Sequence, residues 1–364
     1  MNEILRAARR LTKSPLLRRL FVRPDRPAGS VGDDAYAARM PAETAVYKDV
    51  ADINVLPAIF HYWSNAYLRP MLEECGVSNP DQFFAQYLLE SARACGADEP
   101  VFVSIGSGHC DTEVRVALLL KQAGLTHFVI ECVDMNPHML ERGRAMAQQE
   151  NVAAHVRTVE ADFNQWRAQQ RYAGVMANQS LHHVVNLEGL FDEIKRALRP
   201  RAYFVASDMI GRNGHLRWPE ALREVESFWH ELPPPYRYNR QLERHEDMVE
   251  NWDCSTEGFE GIRAQDILPL LPERFDFRLF VGFAHLIDVF IDRSFGHNFD
   301  AAQAWDRNFI DRVHAADERG FAEGTLRPTH MMAVMTGEPA ALRECACGLS
   351  AHASVRDPAA EPRN

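Results

Sequence analysis

The stretch VFVSIGSGHCDTE, residues 101–113, decides the fold of this chain. Its first residues form a short apolar run that predicts a buried strand, and the residues after it predict a helix that Gly124 ends. Gly106 and Gly108 lie where the strand turns into the helix, and glycine lets the backbone approach a ligand closely at such a turn. This order of elements begins a βαβ unit.

Further short apolar runs continue the pattern, at residues 127–134, 154–162, 173–179 and 202–209. Helical segments alternate with these predicted strands, and alternation of this kind is typical of a parallel sheet with right-handed crossovers. We therefore expect an α/β fold with a Rossmann-like sheet, a helical N-terminal region and helical insertions.

Composition limits the classes of function. The chain has 364 residues with 46% hydrophobic residues, enough to bury a large core, and a net charge of -11 that argues against binding nucleic acid. The seven cysteines follow no disulfide spacing and indicate reduced thiols, so we expect a cytoplasmic protein. No apolar run approaches the ~18 residues of a membrane span, and arginines interrupt the first apolar stretch, so no signal peptide is predicted.

The pattern along the chain predicts six regions. They are a basic N-terminal segment and linker (1–45), a helical cap (46–96), a Rossmann-like core (97–210), a helical insertion that acts as a substrate lid (211–274), the final strands with a helical insert (275–337) and a disordered tail (338–364). In the first region basic and apolar residues interleave. Two interpretations stay open, weak contact with an anionic membrane surface or a frayed or docked terminus. A homo-oligomer is also left open.

Acidic residues follow the second and third predicted strands. Asp134 lies at the end of the second strand, where a carboxylate can accept both hydroxyls of a ribose. Asp162 ends the third strand and can accept from an adenine amino group, while Phe163 covers the ring. Position 111 is Asp111 where a dinucleotide-phosphate loop would have a third glycine, and an acid there suits a cationic ligand better than a phosphate.

With these residues in place, the stretch from about residue 100 to 209 resembles the class I S-adenosylmethionine-dependent methyltransferase family. The resemblance implies S-adenosylmethionine as cofactor and a seven-stranded sheet that closes with antiparallel sixth and seventh strands, here residues 275–283 and 329–337. It also implies contacts to the cofactor, listed from its methionine end to its adenine end: Gly106 and Gly108 at the methionine part, Asn178 beside the methyl donor, Asp134 at the ribose, and Met135, Asp162 and Phe163 at the adenine.

Two residues depart from the family pattern. Ser104 replaces the acid that usually precedes the glycine motif, and Cys110 replaces the third glycine. Some family members with serine at the first position carry a glutamate on the next helix turn, and Glu113 has that place. Two interpretations of Glu113 stay open, a contact to the methionine ammonium and a first-turn acid stabilised by the helix dipole.

A general base is expected next to the donated methyl group. His183, or failing that His182, follows the fourth strand, and histidine can accept a proton near neutral pH. The competing interpretation is that both histidines only hold the loop, and that Asp208 or His215 removes the proton. No ligand pair has diagnostic metal spacing, so no metal site is predicted.

The sequence thus predicts an S-adenosylmethionine-dependent methyltransferase that methylates an oxygen of a small metabolite or sugar-like substrate. A Rossmann-type oxidoreductase with a nucleotide cofactor is an alternative that the missing third glycine disfavours. A non-catalytic scaffold with a methyltransferase-like fold is a second alternative, because the glycine motif is altered.

Overall fold

The computed structural model describes residues 56–256, 258–339 and 348–356. Its strands are β1 Val101–Ile105, β2 Val129–Asp134, β3 Val156–Glu160, β4 Tyr172–Asn178, β5 Leu198–Met209, β6 Tyr238–Asn239, β7 Arg244–His245, β8 Asp276–Phe283 and β9 His330–Thr336. Its α-helices are α1 Ala58–Trp63, α2 Arg69–Glu74, α3 Pro80–Ala94, α4 Asp111–Gln122, α5 Pro137–Gln149, α6 Leu187–Ala197, α7 Pro219–Glu231, α8 Ala264–Leu270, α9 Asp288–Ile291, α10 Ala304–Glu323 and α11 Ala351–Ser354.

Seven of the described strands form one sheet in the order β3-β2-β1-β4-β5-β9-β8. Strands β1 to β5 pair in parallel, as their short apolar runs and intervening helices predicted. The Rossmann-like seven-stranded fold is therefore confirmed. The expectation that both closing strands are antiparallel needs correction. β9 is antiparallel to both of its neighbours, β5 and β8, so β8 runs in the same direction as β1 to β5.

Helices cover both faces of the sheet, so the core is divided into two clusters. α3, α4 and α5 pack on one face with buried Phe84, Leu88 and Leu120. α6 and α8 pack on the other face with buried Phe191 and Ile267. Parallel strands buried on both faces explain why these runs are continuously apolar instead of alternating.

A third buried cluster lies among helices beyond the sheet. Ile59 and Trp63 of α1 pack there with Trp229 of α7, and α9 and α10 complete the cluster. α3 instead packs against the sheet, where the Ser91 hydroxyl donates to the Ala173 carbonyl of β4 at 2.5 Å. The described part of the predicted cap region is thus divided between two cores.

Two of the regions predicted from the sequence, 211–274 and 338–364, contain structure that was not expected. The predicted helical insertion at 211–274 also contains the two-stranded β6–β7 hairpin. The tail predicted to be disordered is ordered over residues 348–356, because Ala351 is buried and the Arg356 guanidinium lies 4.1 Å from the Trp218 ring centroid. Arg356 also pairs with Glu220.

The basic N-terminal segment and its membrane interpretation lie outside the described residues. Within the described ranges, each helix is too short or too polar to cross a bilayer.

Candidate active site

The carboxyl ends of β1, β2, β4 and β5 meet at one edge of the sheet. Gly106 begins the loop after β1 with a φ of +69°, and a Cβ on it would lie 2.5 Å from the Ser180 Cβ in the loop after β4. The Ser180 hydroxyl also donates to the Ile105 carbonyl at 2.7 Å. Only glycine fits between these two loops, and their contact brings the predicted cofactor residues next to the predicted catalytic residues.

Ser104 and Glu113 form a buried pair beneath the glycine loop. The Ser104 hydroxyl donates to Glu113 Oε1 at 2.6 Å. Glu113 Oε2 is buried and has no hydrogen-bond partner among the described residues. Burial raises the pKa of Glu113 to about 7, and the Ser104 hydrogen bond only partly opposes this shift. A buried carboxylate oxygen without a donor suits a cationic ligand group.

Cys110, which replaces the third glycine of the family motif, has a left-handed backbone conformation. Its φ is +59°, in the left-handed region, and its side chain is fully buried. Gly143 on α5 provides the space, because a Cβ there would lie 2.6 Å from the Cys110 Sγ. The absence of a side chain at Gly143 therefore makes room for the buried thiol of Cys110.

Asp134 is held in place by the backbone around it. Its Oδ2 accepts from the Gly108 N–H at 2.9 Å, and its Oδ1 accepts from the Asn136 N–H at 2.8 Å. Burial raises the pKa of Asp134, while these two hydrogen bonds oppose the shift. Each oxygen of an ionised carboxylate keeps a further acceptor site, so the group can still accept from ligand hydroxyls.

The residues expected at the adenine lie farther along the same edge. Asp162 follows β3, and its Oδ1 accepts from the Asn164 N–H at 2.9 Å. Phe163 is buried, with its ring 3.8 Å from the position of a Cβ on Gly106. Met135 is half-buried and packs against the core cluster on the α6 face.

Asn178 ends β4 at the centre of this edge. Its side-chain amide donates to the Thr112 hydroxyl, in the first turn of α4, at 3.1 Å. The structure therefore brings Asn178 to the start of the helix that carries Glu113, beside the glycine loop.

His182 is held by a carboxylate from the neighbouring strand. Its Nδ1 lies 2.7 Å from Oδ1 of Asp208, near the end of β5. Asp208 is fully buried, and its Oδ2 accepts from the Ser180 and Leu181 N–H groups at 2.8 and 2.7 Å. With these contacts, Asp208 orients His182 and anchors the loop after β4.

Glu260 joins the three predicted histidines, although sequence reasoning missed it. Its Oε1 lies 2.6 Å from His215 Nε2 and 3.4 Å from His182 Nε2, and its Oε2 lies 3.5 Å from His183 Nε2. Glu260 belongs to an irregular part of the insertion without hydrophobic periodicity, so the sequence carries no signal for it.

Backbone contacts hold the insertion against these histidines. The Gly214 N–H donates to the Gly261 carbonyl at 2.9 Å, and the Ile262 N–H donates to the His182 carbonyl at 3.1 Å. A Cβ on Gly214 would lie 1.8 Å from Oδ1 of Asp253, so this turn requires glycine. These hydrogen bonds involve the residue before His215 and the two residues after Glu260, so they hold both side chains close to His182.

The pKa values of His182 and Glu260 are shifted in opposite directions because the two side chains lie next to each other. Burial disfavours a charged His182, but Asp208 and Glu260 outweigh it and raise the pKa of His182 to about 10. Burial also disfavours a charged Glu260, yet hydrogen bonds to His182 and His215 hold the pKa of this carboxyl well below its usual range. Two neighbouring carboxylates thus favour a positive charge between them.

Comparison with known families identifies the central part of the chain. Residues 104–201 match a family described as a methyltransferase domain. The match spans the glycine loop, the acidic residues after β2 and β3, and the two histidines after β4. Among curated proteins, none matches this sequence.

Solved structures with a similar arrangement include methyltransferases of differing specificity. An O-methyltransferase from a trans-AT PKS multienzyme of Brevibacillus brevis, in complex with S-adenosylhomocysteine, is 12% identical, with 80% of this chain and 86% of that chain covered and a TM-score of 0.40. A geranyl diphosphate C-methyltransferase from Streptomyces coelicolor A3(2) is 11% identical, with 82% and 98% covered and a TM-score of 0.42. Both TM-scores are below 0.5, so these structures carry no argument about this chain. The methyltransferase domain is identified by the family match, and the Rossmann-like fold by the strand order.

Proposed function

We propose that this chain, whose residues 104–201 match a methyltransferase domain, is a class I S-adenosylmethionine-dependent methyltransferase that methylates an oxygen of a small metabolite or sugar-like molecule. The observation that carries the oxygen assignment is the cluster of histidines and carboxylates at the end of β4. A hydroxyl must lose its proton as it is methylated, and imidazole is suited to accept that proton near neutral pH.

In this proposal the cofactor lies across the glycine loop. Its methionine ammonium meets the buried Glu113 Oε2, its ribose hydroxyls donate to Asp134, and its adenine amino group donates to Asp162. The orphaned oxygen of Glu113 supports this orientation, because a buried acceptor without a donor is costly until a ligand supplies one.

His183 is the proposed general base. Both ring nitrogens of His182 already face carboxylates, Asp208 on one side and Glu260 on the other. His183 keeps 18% of its side chain exposed, with its Nε2 3.5 Å from Glu260 Oε2. In this role Asp208 and Glu260 are positioning residues that orient the imidazoles.

The reaction then balances as a displacement at carbon. The acceptor hydroxyl transfers its proton to His183, and an oxygen lone pair forms the new O–C bond. The C–S bond breaks with its electron pair moving to sulfur, which converts the sulfonium into the neutral thioether of S-adenosylhomocysteine. The protein contributes mainly alignment of oxygen, carbon and sulfur.

The first experiment measures which cofactor the purified full-length chain binds. We expect calorimetry to detect S-adenosylmethionine and S-adenosylhomocysteine but not NADH. Binding of NADH without binding of S-adenosylhomocysteine would contradict the proposal.

The second experiment identifies the methylated atom. Labelled S-adenosylmethionine is incubated with a panel of phenols, sugars and amines, and mass spectrometry locates the methyl group. His183→Gln should slow transfer to oxygen by about 10²–10⁴-fold while S-adenosylhomocysteine binding persists. His230→Gln, at a histidine whose side chain is 68% exposed, is the matched control and should keep the wild-type rate. Methylation of nitrogen or carbon only would refute the oxygen assignment.

A further inference from the structure

Beyond methyl transfer itself, we propose that His182, His215 and Glu260 form a binding site for a divalent transition-metal ion. The candidate ligand atoms of these three residues all lie within 4.8 Å of one another. Glu260 Oε1 is 3.4 Å from His182 Nε2 and 2.6 Å from His215 Nε2. Ligands about 2.0–2.1 Å from a tetrahedral ion are roughly 3.3 Å apart, so small side-chain shifts suffice to enclose one.

The donor set indicates the class of ion. Two imidazole nitrogens and one carboxylate oxygen suit zinc, iron and related divalent metals, and they suit magnesium or calcium poorly because those ions take oxygen ligands. Three protein ligands also leave coordination positions open, which is typical of sites where a metal contacts a substrate.

Asp208 contacts the ring nitrogen of His182 that would face away from the metal, as a carboxylate usually does beside a metal-binding histidine. Its carboxylate lies 2.7 Å from Nδ1 of His182, on the opposite side of the ring from Glu260. This contact keeps a proton on Nδ1, so a metal ion would displace only the proton on Nε2, the ring nitrogen that faces the cluster. Asp208 is itself fixed by the N–H groups of Ser180 and Leu181. The orientation of the imidazole is therefore built in before any ion binds.

His215 is held in an unfavourable backbone conformation that points to a function. Its φ is +56°, in the left-handed region that non-glycine residues rarely adopt. The preceding Gly214 donates its N–H to Gly261 at 2.9 Å, and the Cys254 thiol contacts the Gly214 carbonyl at 3.1 Å. These contacts keep the turn in place and hold the imidazole against Glu260.

The charge of the site fits a divalent cation. Glu260 and the buried Asp208 face His182 from two sides, and their negative charges need compensation. A proton shared between the histidines and Glu260 supplies one positive charge, whereas a metal ion supplies two. A cluster that binds a metal ion takes up added Co²⁺ or Zn²⁺ stoichiometrically, whereas a cluster held only by a shared proton does not.

The proposed function gives the metal its chemical role, and this part of the inference rests on that function. An oxygen of the methyl acceptor occupies an open coordination position, and the ion lowers the pKa of the bound hydroxyl. The substrate class narrows accordingly to molecules whose hydroxyl can bind a metal, with a second neighbouring oxygen favoured because it can occupy another open position.

The test measures metal binding directly, on a full-length chain without a polyhistidine tag. Chelator-treated protein is titrated with Co²⁺, followed by its visible absorption, and with Zn²⁺ by calorimetry. We expect one ion per chain. His215→Gln and Glu260→Gln should each weaken binding by about 100-fold or more, and Asp208→Asn by about 10–100-fold. His230→Gln, far more exposed and outside the cluster, should bind like the wild type.

Circular dichroism confirms that each variant is folded before it is titrated. Absence of stoichiometric Co²⁺ and Zn²⁺ binding by the wild type would overturn the proposal in favour of the proton-linked cluster. Equal binding by wild type, His215→Gln and Glu260→Gln would overturn it in favour of another site. If the wild type binds metal and the variants do not, but no compound of the methylation panel is methylated, the proposed acceptor is rejected. The metal site is then still supported.

Discussion

Replacing Glu113 by glutamine should change stability and cofactor binding in opposite directions. Glutamine keeps the shape of the side chain and an acceptor for the Ser104 hydroxyl, but it cannot ionise. Burial raises the pKa of Glu113 from its usual value near 4.5 to about 7. A shift of that size corresponds to about 3 kcal/mol of folding free energy, at 1.36 kcal/mol for each pKa unit.

The raised pKa of Glu113 determines how the free energy of unfolding changes with pH. The stabilising contribution of protonated Glu113 is fully present below the unfolded pKa near 4.5, and it is lost as the pH rises through about 7. Without ligand, the Glu113→Gln variant should therefore be more stable than the wild type at pH 8, by up to about 3 kcal/mol. The difference should shrink as the pH falls towards 5.

Cofactor binding should show the reverse. The ammonium group of S-adenosylhomocysteine interacts with ionised Glu113, so wild-type affinity should fall about tenfold per pH unit below 7 and level off above it. Losing a charged hydrogen bond costs about 1.5–3 kcal/mol, so the variant should bind roughly 10–100-fold more weakly at pH 8, with little pH dependence.

The assays are urea denaturation of the ligand-free protein and calorimetry with S-adenosylhomocysteine, each from pH 5 to 8.5. Asp111→Asn is the matched control, because Asp111 lies in the same first turn of α4 as Glu113. It should lower stability slightly through the helix dipole, by about 0.3–1 kcal/mol, and weaken binding much less than Glu113→Gln does, because Asp111 is only half-buried. If Glu113→Gln behaves like Asp111→Asn, Glu113 is only a dipole-stabilising acid and the ammonium assignment is wrong.

Three further substitutions test the loops around the cofactor. Gly106→Ala should lower the free energy of unfolding by about 1–3 kcal/mol more than Gly108→Ala, because a new Cβ meets a side chain at 2.5 Å only at Gly106; equal urea midpoints would contradict this. Gly143→Ala should cost about 1–3 kcal/mol, and adding Cys110→Gly should restore part of it; an additive double-mutant cycle would exclude the contact. Asp134→Asn should weaken S-adenosylhomocysteine binding by about 1.5–3 kcal/mol in calorimetry, and Asp134→Ala should also lower the melting temperature because two backbone N–H groups lose their acceptor; a melting temperature that stays the same would show that this acceptor is dispensable.

The edge of the sheet was predictable from the sequence because its signals are local. Apolar runs mark the buried strands, and a glycine turn marks the loop after β1. In a parallel sheet the strand ends meet at one edge, so residues such as Asp134 and Asn178, which end their strands, could be placed near that loop without a structure. The resemblance to methyltransferases, which rests on the same residues, implied the seven-stranded sheet and the methyl transfer.

Two errors had tertiary causes. The direction of β8 depends on its pairing with β9, which no local pattern specifies. The order of residues 348–356 depends on Ala351 and Arg356 finding partners far away in the chain, including the ring of Trp218. In each case the decisive contact joins residues that are distant in sequence.

The cluster of His182, His215, Glu260 and Asp208 was the part of the site that the sequence predicted least well. His182 and His215 were candidates because of their places after β4 and β5, but Glu260 had no periodicity, motif or spacing to mark it. Asp208 was considered as a base, and only the structure shows that its carboxylate is fully buried and lies 2.7 Å from His182 Nδ1. Ligands and proton acceptors work through distances of about 3 Å between side chains. Such distances are set when an irregular insertion folds back on the sheet, and the tertiary structure alone decides them.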